Sequence, residues 1–219
     1  MDRLIELLPD FWLAAGQTLY MVALTLFFGG LLGGLIGIGL YVTRRGGLLA
    51  NRAISILLNF IVNFFRPIPF VIFIAVAQPL IRSVIGVGIG INAGVFALSL
   101  AASFAIGRIV EQHLVGVNPG VIEAARSMGA SPWRTLFTVA IPEALGPLIL
   151  GYTFIIVAII DMSAMTLLIG AGGLGGFAQT YGFRQFEPVV MWAAIVLIVV
   201  FVHLTQTFGT WLARRVMRR

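Results

Sequence analysis

Residues 118–142 read Asn-Pro-Gly-Val-Ile-Glu-Ala-Ala-Arg-Ser-Met-Gly-Ala-Ser-Pro-Trp-Arg-Thr-Leu-Phe-Thr-Val-Ala-Ile-Pro, a polar island between long apolar stretches. Asn118 is a side-chain cap followed by a proline. Pro119 has no amide proton to orphan at a first helical position and its φ is already helical, so a helix is predicted over 119–128. Gly129 suits the left-handed position that ends such a helix, and Ser131-Pro132 repeats the cap-and-proline signal for a second short helix. Pro142 is expected to open the next element. The first helix would expose Glu123, the small Ala124 and Ala125, and Arg126, a surface that a partner's backbone can approach closely between two charges. Its apolar residues, Val121, Ile122, Met128, Trp133, Leu136 and Phe137, would also suit an amphipathic segment lying on a membrane surface.

On either side of the island the chain is too apolar for a soluble domain. Of 219 residues, 60% are hydrophobic and only 10% charged, with a mean hydropathy of +1.06; such a composition indicates a membrane protein. An α-helix needs about 20 apolar residues to cross a hydrocarbon core, and it spans because its backbone bonds internally. Five such stretches are predicted, at about 18–42, 54–77, 91–110, 145–168 and 188–213, making the whole of 1–219 a single all-α membrane domain. The first is too long for a cleaved signal peptide, and Asp2, Glu6 and Asp10 precede it. Gly29, Gly30, Gly33, Gly34 and Gly37 recur at spacings that let helices pack closely.

All fourteen basic residues are arginines. Arg44, Arg45 and Arg52 lie between the first two spans, Arg108, Arg126 and Arg134 at or in the island, and Arg214, Arg215, Arg218 and Arg219 in the tail. Arg3, Arg82 and Arg184 fall on the other side, and Arg66 within span two. Ten arginines against three place the first group, with the island and the C-terminus, in the cytoplasm and the N-terminus outside. The net charge of +6 thus reflects topology rather than nucleic-acid binding, since the arginines flank spans and form no continuous basic face. There is no cysteine, which excludes disulfides and thiol catalysis. His113 and His203 sit in different elements without carboxylates at ligand spacing, so no metal site is expected.

The triplet Glu123-Ala124-Ala125, Gly129 four residues on, and the ending Val139-Ala140-Ile141-Pro142 resemble the cytoplasmic coupling loop of ABC importer permeases. The resemblance covers the whole chain through its five spans and the place of the loop between spans three and four, the type I importer arrangement. Phe65-Arg66-Pro67-Ile68-Pro69-Phe70 looks like the Phe-Arg-x-x-Pro segment of amino-acid permeases, and Gln17-Thr18-Leu19 like the start of their first span. Ser163-Ala164-Met165, Gly170-Ala171-Gly172-Gly173-Leu174-Gly175 and Tyr181-Gly182 are similar to the methionine importer subfamily. That resemblance implies a bacterial inner-membrane permease working by alternating access as two copies. Its implied partners are two cytoplasmic ATPases, which bind ATP and magnesium, and an external lipid-anchored binding protein. Glu123, Ala124, Ala125, Arg126, Gly129 and Pro142 would then serve ATPase coupling, with no catalytic residue in this chain. A chain without lysine cannot itself hold the phosphate-loop lysine of such an ATPase.

Ionisable residues inside spans mark interiors or aqueous paths. Asp161 is predicted roughly 24 Å along span four from Leu145 at the helical rise, and Arg66 lies beside Pro67 and Pro69, where the backbone is expected to break. Arg66 can hold local carbonyls, pair with Asp161 or meet a solute carboxylate. Asp161 stands where the methionine-type permeases carry a small residue; it can meet a solute ammonium group or a partner across a dimer interface. Met162 and Met165, flanking Ser163, can form a soft apolar gate or simply pack. The glycine run 170–175 follows a membrane helix rather than a strand and is expected to be a tight external turn, not a dinucleotide loop.

Two other classes fit less well. An ion-coupled secondary transporter would be expected to carry inverted repeats, and the chain shows none. An intramembrane enzyme needs a second catalytic group near Asp161. A permease for a different small solute remains the nearest alternative.

Overall fold

The computed structural model describes residues 2–217, and among these it contains helices and connecting turns but no strand. Arg218 and Arg219 of the arginine tail lie outside the described residues. The elements are α1 (Asp2–Glu6), α2 (Leu8–Thr43), α3 (Arg52–Phe65), α4 (Phe70–Ile85), α5 (Ile91–Val115), α6 (Pro119–Ser127), α7 (Pro132–Thr135), α8 (Ile141–Met165), α9 (Gly173–Phe177) and α10 (Pro188–Met217).

The first span begins ten residues earlier than its apolar core suggests, at Leu8 rather than Thr18. Phe11, Ala14, Ala15 and Thr18 recur at helical spacing and are buried, the apolar ones against Leu174, Phe177, Val190 and Ala194 of α9 and α10. Tertiary packing therefore extends the helix beyond its lipid-crossing part. The second span is not one helix over 54–77: α3 and α4 meet at Arg66–Pro69 with a bend of 116°. Pro67 and Pro69 lack the amide protons a continuing helix would use. Pro69 turns extended (φ −55°, ψ 133°) and its carbonyl accepts from Ile72 and Phe73 to start α4.

Glycines set the central contact. A Cβ added at Gly29 would stand 2.9 Å from the Ser99 carbonyl oxygen, at Gly33 2.7 Å from that of Ser103, and at Gly37 2.6 Å from that of Gly107. Only residues without side chains let α2 and α5 approach so closely. The numbers rise together, so the two helices run parallel, and the chain between them must return through the layer once. Bent as they are, α3 and α4 thus amount to a single crossing, which makes five spans among the described residues. Helix α8 runs antiparallel to α5, with Gly151 against Ile109 and His113 and the 166–171 turn against Gly94. Its Tyr152 hydroxyl donates to the Gly30 carbonyl at 3.2 Å. α10 in turn lies antiparallel to α8, Gly209 facing Thr153 and Gly146 facing Met217.

One end of the bundle carries Arg44, Arg45, Arg52, Arg126, Arg134, Arg214 and Arg215; the other carries Arg3, Arg82 and Arg184. Arg108, near the end of the expected third span (91–110), lies deeper than that span suggests, because α5 runs on seven residues past it to Val115. Large apolar side chains such as Phe27, Leu35, Phe60, Trp192, Leu204 and Phe208 are exposed around the outside, as they should be where lipid is the solvent.

The glycine run after α8 combines a turn with a helix start. Gly170, Gly172 and Gly173 all have positive φ (68°, 77° and 84°), after which α9 begins. Its first amides are capped from the first span: Gly173 N–H donates to Gln17 Oε1 and Leu174 N–H to Thr18 Oγ1, each at 2.8 Å. A polar pair inside an apolar span thus satisfies a helix end that has no local cap.

Candidate functional site: the loop between α5 and α8

The loop is two short helices with fully bonded ends. Asn118 Oδ1 accepts from Gly120 N–H at 2.9 Å and starts α6. At the other end Gly129 is left-handed (φ 81°), its N–H donates to the Arg126 carbonyl at 2.9 Å and Ala130 N–H to that of Ala125 at 3.1 Å. These paired bonds are the Schellman closure of a helix, which stops α6 at Ser127, one residue short of the expected Met128. Ser131 Oγ then accepts from Arg134 N–H at 3.3 Å to start α7.

Pro142 does not open a new element. α7 passes through a π-helical turn, Leu136–Ala140, straight into α8, so Pro142 is the second residue of a helix already under way. The wider turn changes the bonding just before the proline, which needs no amide bond of its own. The second short helix is therefore the loop-side extension of the fourth span, with Leu136 and Ala140 fully buried.

The face that α6 offers is narrower than its composition suggests. Gly120, Glu123, Ala124 and Ser127, spaced by three or four, are exposed, as is Arg126 on their flank. Ala125 instead turns inward, 5% exposed, and Ile122 packs against the core cluster that holds Tyr41, Val110, Leu114 and Leu136. Small exposed residues beside Glu123 make a ridge that a partner's groove can straddle. Among the described residues neither Glu123 nor Arg126 forms an ion pair, so both charges face outward unspent. Met128, 82% exposed at the tip, offers an apolar side chain beside that ridge.

On the membrane side, Arg66 is the C-terminal cap of α3. Its N–H bonds the Val62 carbonyl at 3.0 Å and its side chain is exposed. With Phe65, Phe73, Ile159 and Met162 it lines a cavity of about 270 Å³ between the α3–α4 break, α5 and α8. Asp161 is exposed on another side of α8, and no Arg66–Asp161 pair forms among the described residues. Ser163 is buried and its hydroxyl donates to the Ile160 carbonyl at 2.7 Å, while Met165 is 47% exposed beside Asp161. The residues of span four thus separate, with Met162 at the Arg66 cavity and Asp161 and Met165 on the open face.

The description "Binding-protein-dependent transport system inner membrane component" matches residues 29–218. The probable D-methionine transport system permease protein MetI of Vibrio cholerae is 36% identical over 206 residues, covering 94% of this chain and 92% of its own length. The methionine import system permease protein MetP of Bacillus subtilis is 35% identical over 212 residues, covering 97% and 96%. Among solved structures, the inward-facing MetNI methionine ABC transporter superposes with a TM-score of 0.92 at 36% identity over 99% of both chains.

Proposed function

The chain belongs to the binding-protein-dependent transport system inner membrane component family, and from that membership we propose that it is the permease through which an ATP-driven ABC importer moves methionine or a closely related amino acid. It is a transmembrane permease subunit and not itself an enzyme. Two copies would enclose the path, two cytoplasmic ATPases would bind ATP and magnesium, and an external binding lipoprotein would deliver the solute. The membrane is then the bacterial inner membrane, with the N-terminus outside and the C-terminus in the cytoplasm, following the arginine-rich end.

The observation that carries this reading is α6, bonded at both ends and joined through three residues to α5 and through α7 to α8. A partner gripping the ridge at Glu123 and Ala124 pushes on two spans at once. Closure of the ATPases would draw the two α6 helices together and tilt α5 and α8, exposing the path alternately to either side. Arg66 suits a solute carboxylate, and the cavity wall of Phe73, Ile159 and Met162 suits an apolar side chain. Asp161 and Met165, on the open face of α8, would meet either the solute's ammonium group or the second copy, on a helix where the Ser163 hydroxyl bonds back to Ile160.

Reconstitution with the ATPase and binding protein in proteoliposomes tests this. Uptake of labelled methionine should require ATP and be displaced by excess methionine far better than by other amino acids. Replacing Glu123 by Ala should lower uptake and loosen the ATPase from the complex. Uptake by the isolated chain without ATP would sink the reading.

A further inference from the structure

Among the described residues one largely buried ion pair lies between spans and outside the loop. Arg108 sits about 10 Å up α5 from its loop end, at the helical rise, with its side chain only 15% exposed. Its guanidinium pairs with Glu111 one turn on, itself 14% exposed. It also reaches across to α3, where Nη2 donates to Asn63 Oδ1 at 2.8 Å and Asn59 Oδ1 at 3.1 Å. Asn59 is held ready for this, since its Nδ2 donates to the Ser55 carbonyl at 2.9 Å and leaves its oxygen toward Arg108. A planar guanidinium can bridge three acceptors on two helices at once; an ammonium is a poorer match to that geometry.

Among the described residues this fork is the only side-chain hydrogen bonding between α3 and another helix; the rest of its hold is apolar packing by Leu58, Ile61 and Phe65 against the core. Val62 is its one buried residue, and the Phe65 ring stacks on Phe104 of α5 at 5.0 Å. The next residue along is Arg66, at the break and on the cavity. α5 therefore links the loop to the cavity. Its lower end leads through residues 116–118 into α6, its middle grips α3 through Arg108, and its Ala101, Ala102 and Ala105 form the cavity's far wall.

We propose that Arg108 is a positioning residue for transport. By forking onto Asn59 and Asn63 it makes α3 travel with α5, so that displacement of α6 by the ATPase also moves the α3–α4 break and Arg66. Without the fork, only apolar packing would join the two helices, and α3 would follow α5 less closely. This rests on the importer reading, because it assigns the driving motion to α6.

Two variants test it: Arg108→Gln, and the double variant Asn59→Ala with Asn63→Ala, which leaves Arg108 paired with Glu111 and so strands no charge. In the reconstituted complex, ATP hydrolysis should stay within about twofold of wild type while uptake falls about tenfold, the scale of a residue that carries coupling rather than assembly. Arg108→Lys should recover part of that loss. Because the chain has no cysteine, spin labels on cysteines placed at the exposed Leu57 of α3 and Gln112 of α5 report their separation directly. In the purified permease–ATPase complex that separation should broaden in both variants.

An unchanged separation, or hydrolysis and uptake falling by the same factor, overturns the proposal. The separation is read without any transport. If wild type showed no ATP-driven uptake, the importer reading would fall while the label distances still decided whether Arg108 holds α3.

Discussion

Gly33 and Gly37 mark where α2 lies closest to α5, and neither has room for a methyl group: the nearest side-chain carbons, on Ile106 and Val110, lie at 2.6 and 2.5 Å from the added Cβ. Gly33→Ala and Gly37→Ala should therefore each destabilise the permease by about 1–3 kcal/mol through overpacking, read as earlier thermal unfolding in detergent. Gly16, in the same helix with nothing within 4 Å, is the control: Gly16→Ala should leave stability unchanged or raise it by roughly 0.5–1 kcal/mol. The glycine spacing was legible in the sequence, but which glycines touch a neighbour was not, because spacing defines a face and says nothing of what packs on it. Thr18 makes the same point with a hydroxyl. It read as the start of the first apolar span, yet it caps α9 across the bundle. Thr18→Val keeps its shape but strands the Leu174 N–H, and should cost about 1–3 kcal/mol in the same unfolding assay.

Elements with strong local signals were legible to within a residue. α6 starts and ends where Asn118, Pro119 and Gly129 place it, because caps act through backbone groups two or three residues away. Asn118→Ala should weaken α6 by about 1 kcal/mol, and Gly129→Ala should cost about as much, since glycine alone adopts its left-handed φ freely. Both should lower ATP-driven uptake while leaving the unfolding temperature nearly unchanged, because they would loosen α6, the helix to which coupling is assigned by the proposed function, and leave the spans intact. Signals that depended on a neighbour went astray. Pro142 read as a start but lies inside a helix carried through a π turn, and Ala125 read as exposed but packs inward. The break at Pro67–Pro69 was foreseen from the missing amides, whereas its 116° angle was not, since prolines remove hydrogen bonds without choosing a direction.

At the scale of the whole molecule the topology is the claim to test. Single cysteines at Ser83 and Arg184 should react with a membrane-impermeant thiol reagent in intact cells, while those at Ser127 and Ser131 should react only after the membrane is opened. The absence of native cysteine makes each signal unambiguous, and the reverse pattern would invert the orientation drawn from the arginines. The apolar stretches, the place of the loop between the third and fourth of them and the importer class were all legible in the sequence alone. They depend on quantities local to the chain: hydrophobic length against bilayer thickness, arginine counts in loops, and caps that act within a turn. Only the tertiary structure decided that α2 and α5 run parallel, that α3 and α4 together form one crossing, and that Gln17 and Thr18 close α9. It likewise decided that Arg108 reaches Asn59 and Asn63, and that Met162 rather than Asp161 shares a cavity with Arg66. Each of these joins residues far apart in the chain, and in lipid, where apolar surface is satisfied on every side, hydrophobic pattern does not say which face of a helix turns to another helix.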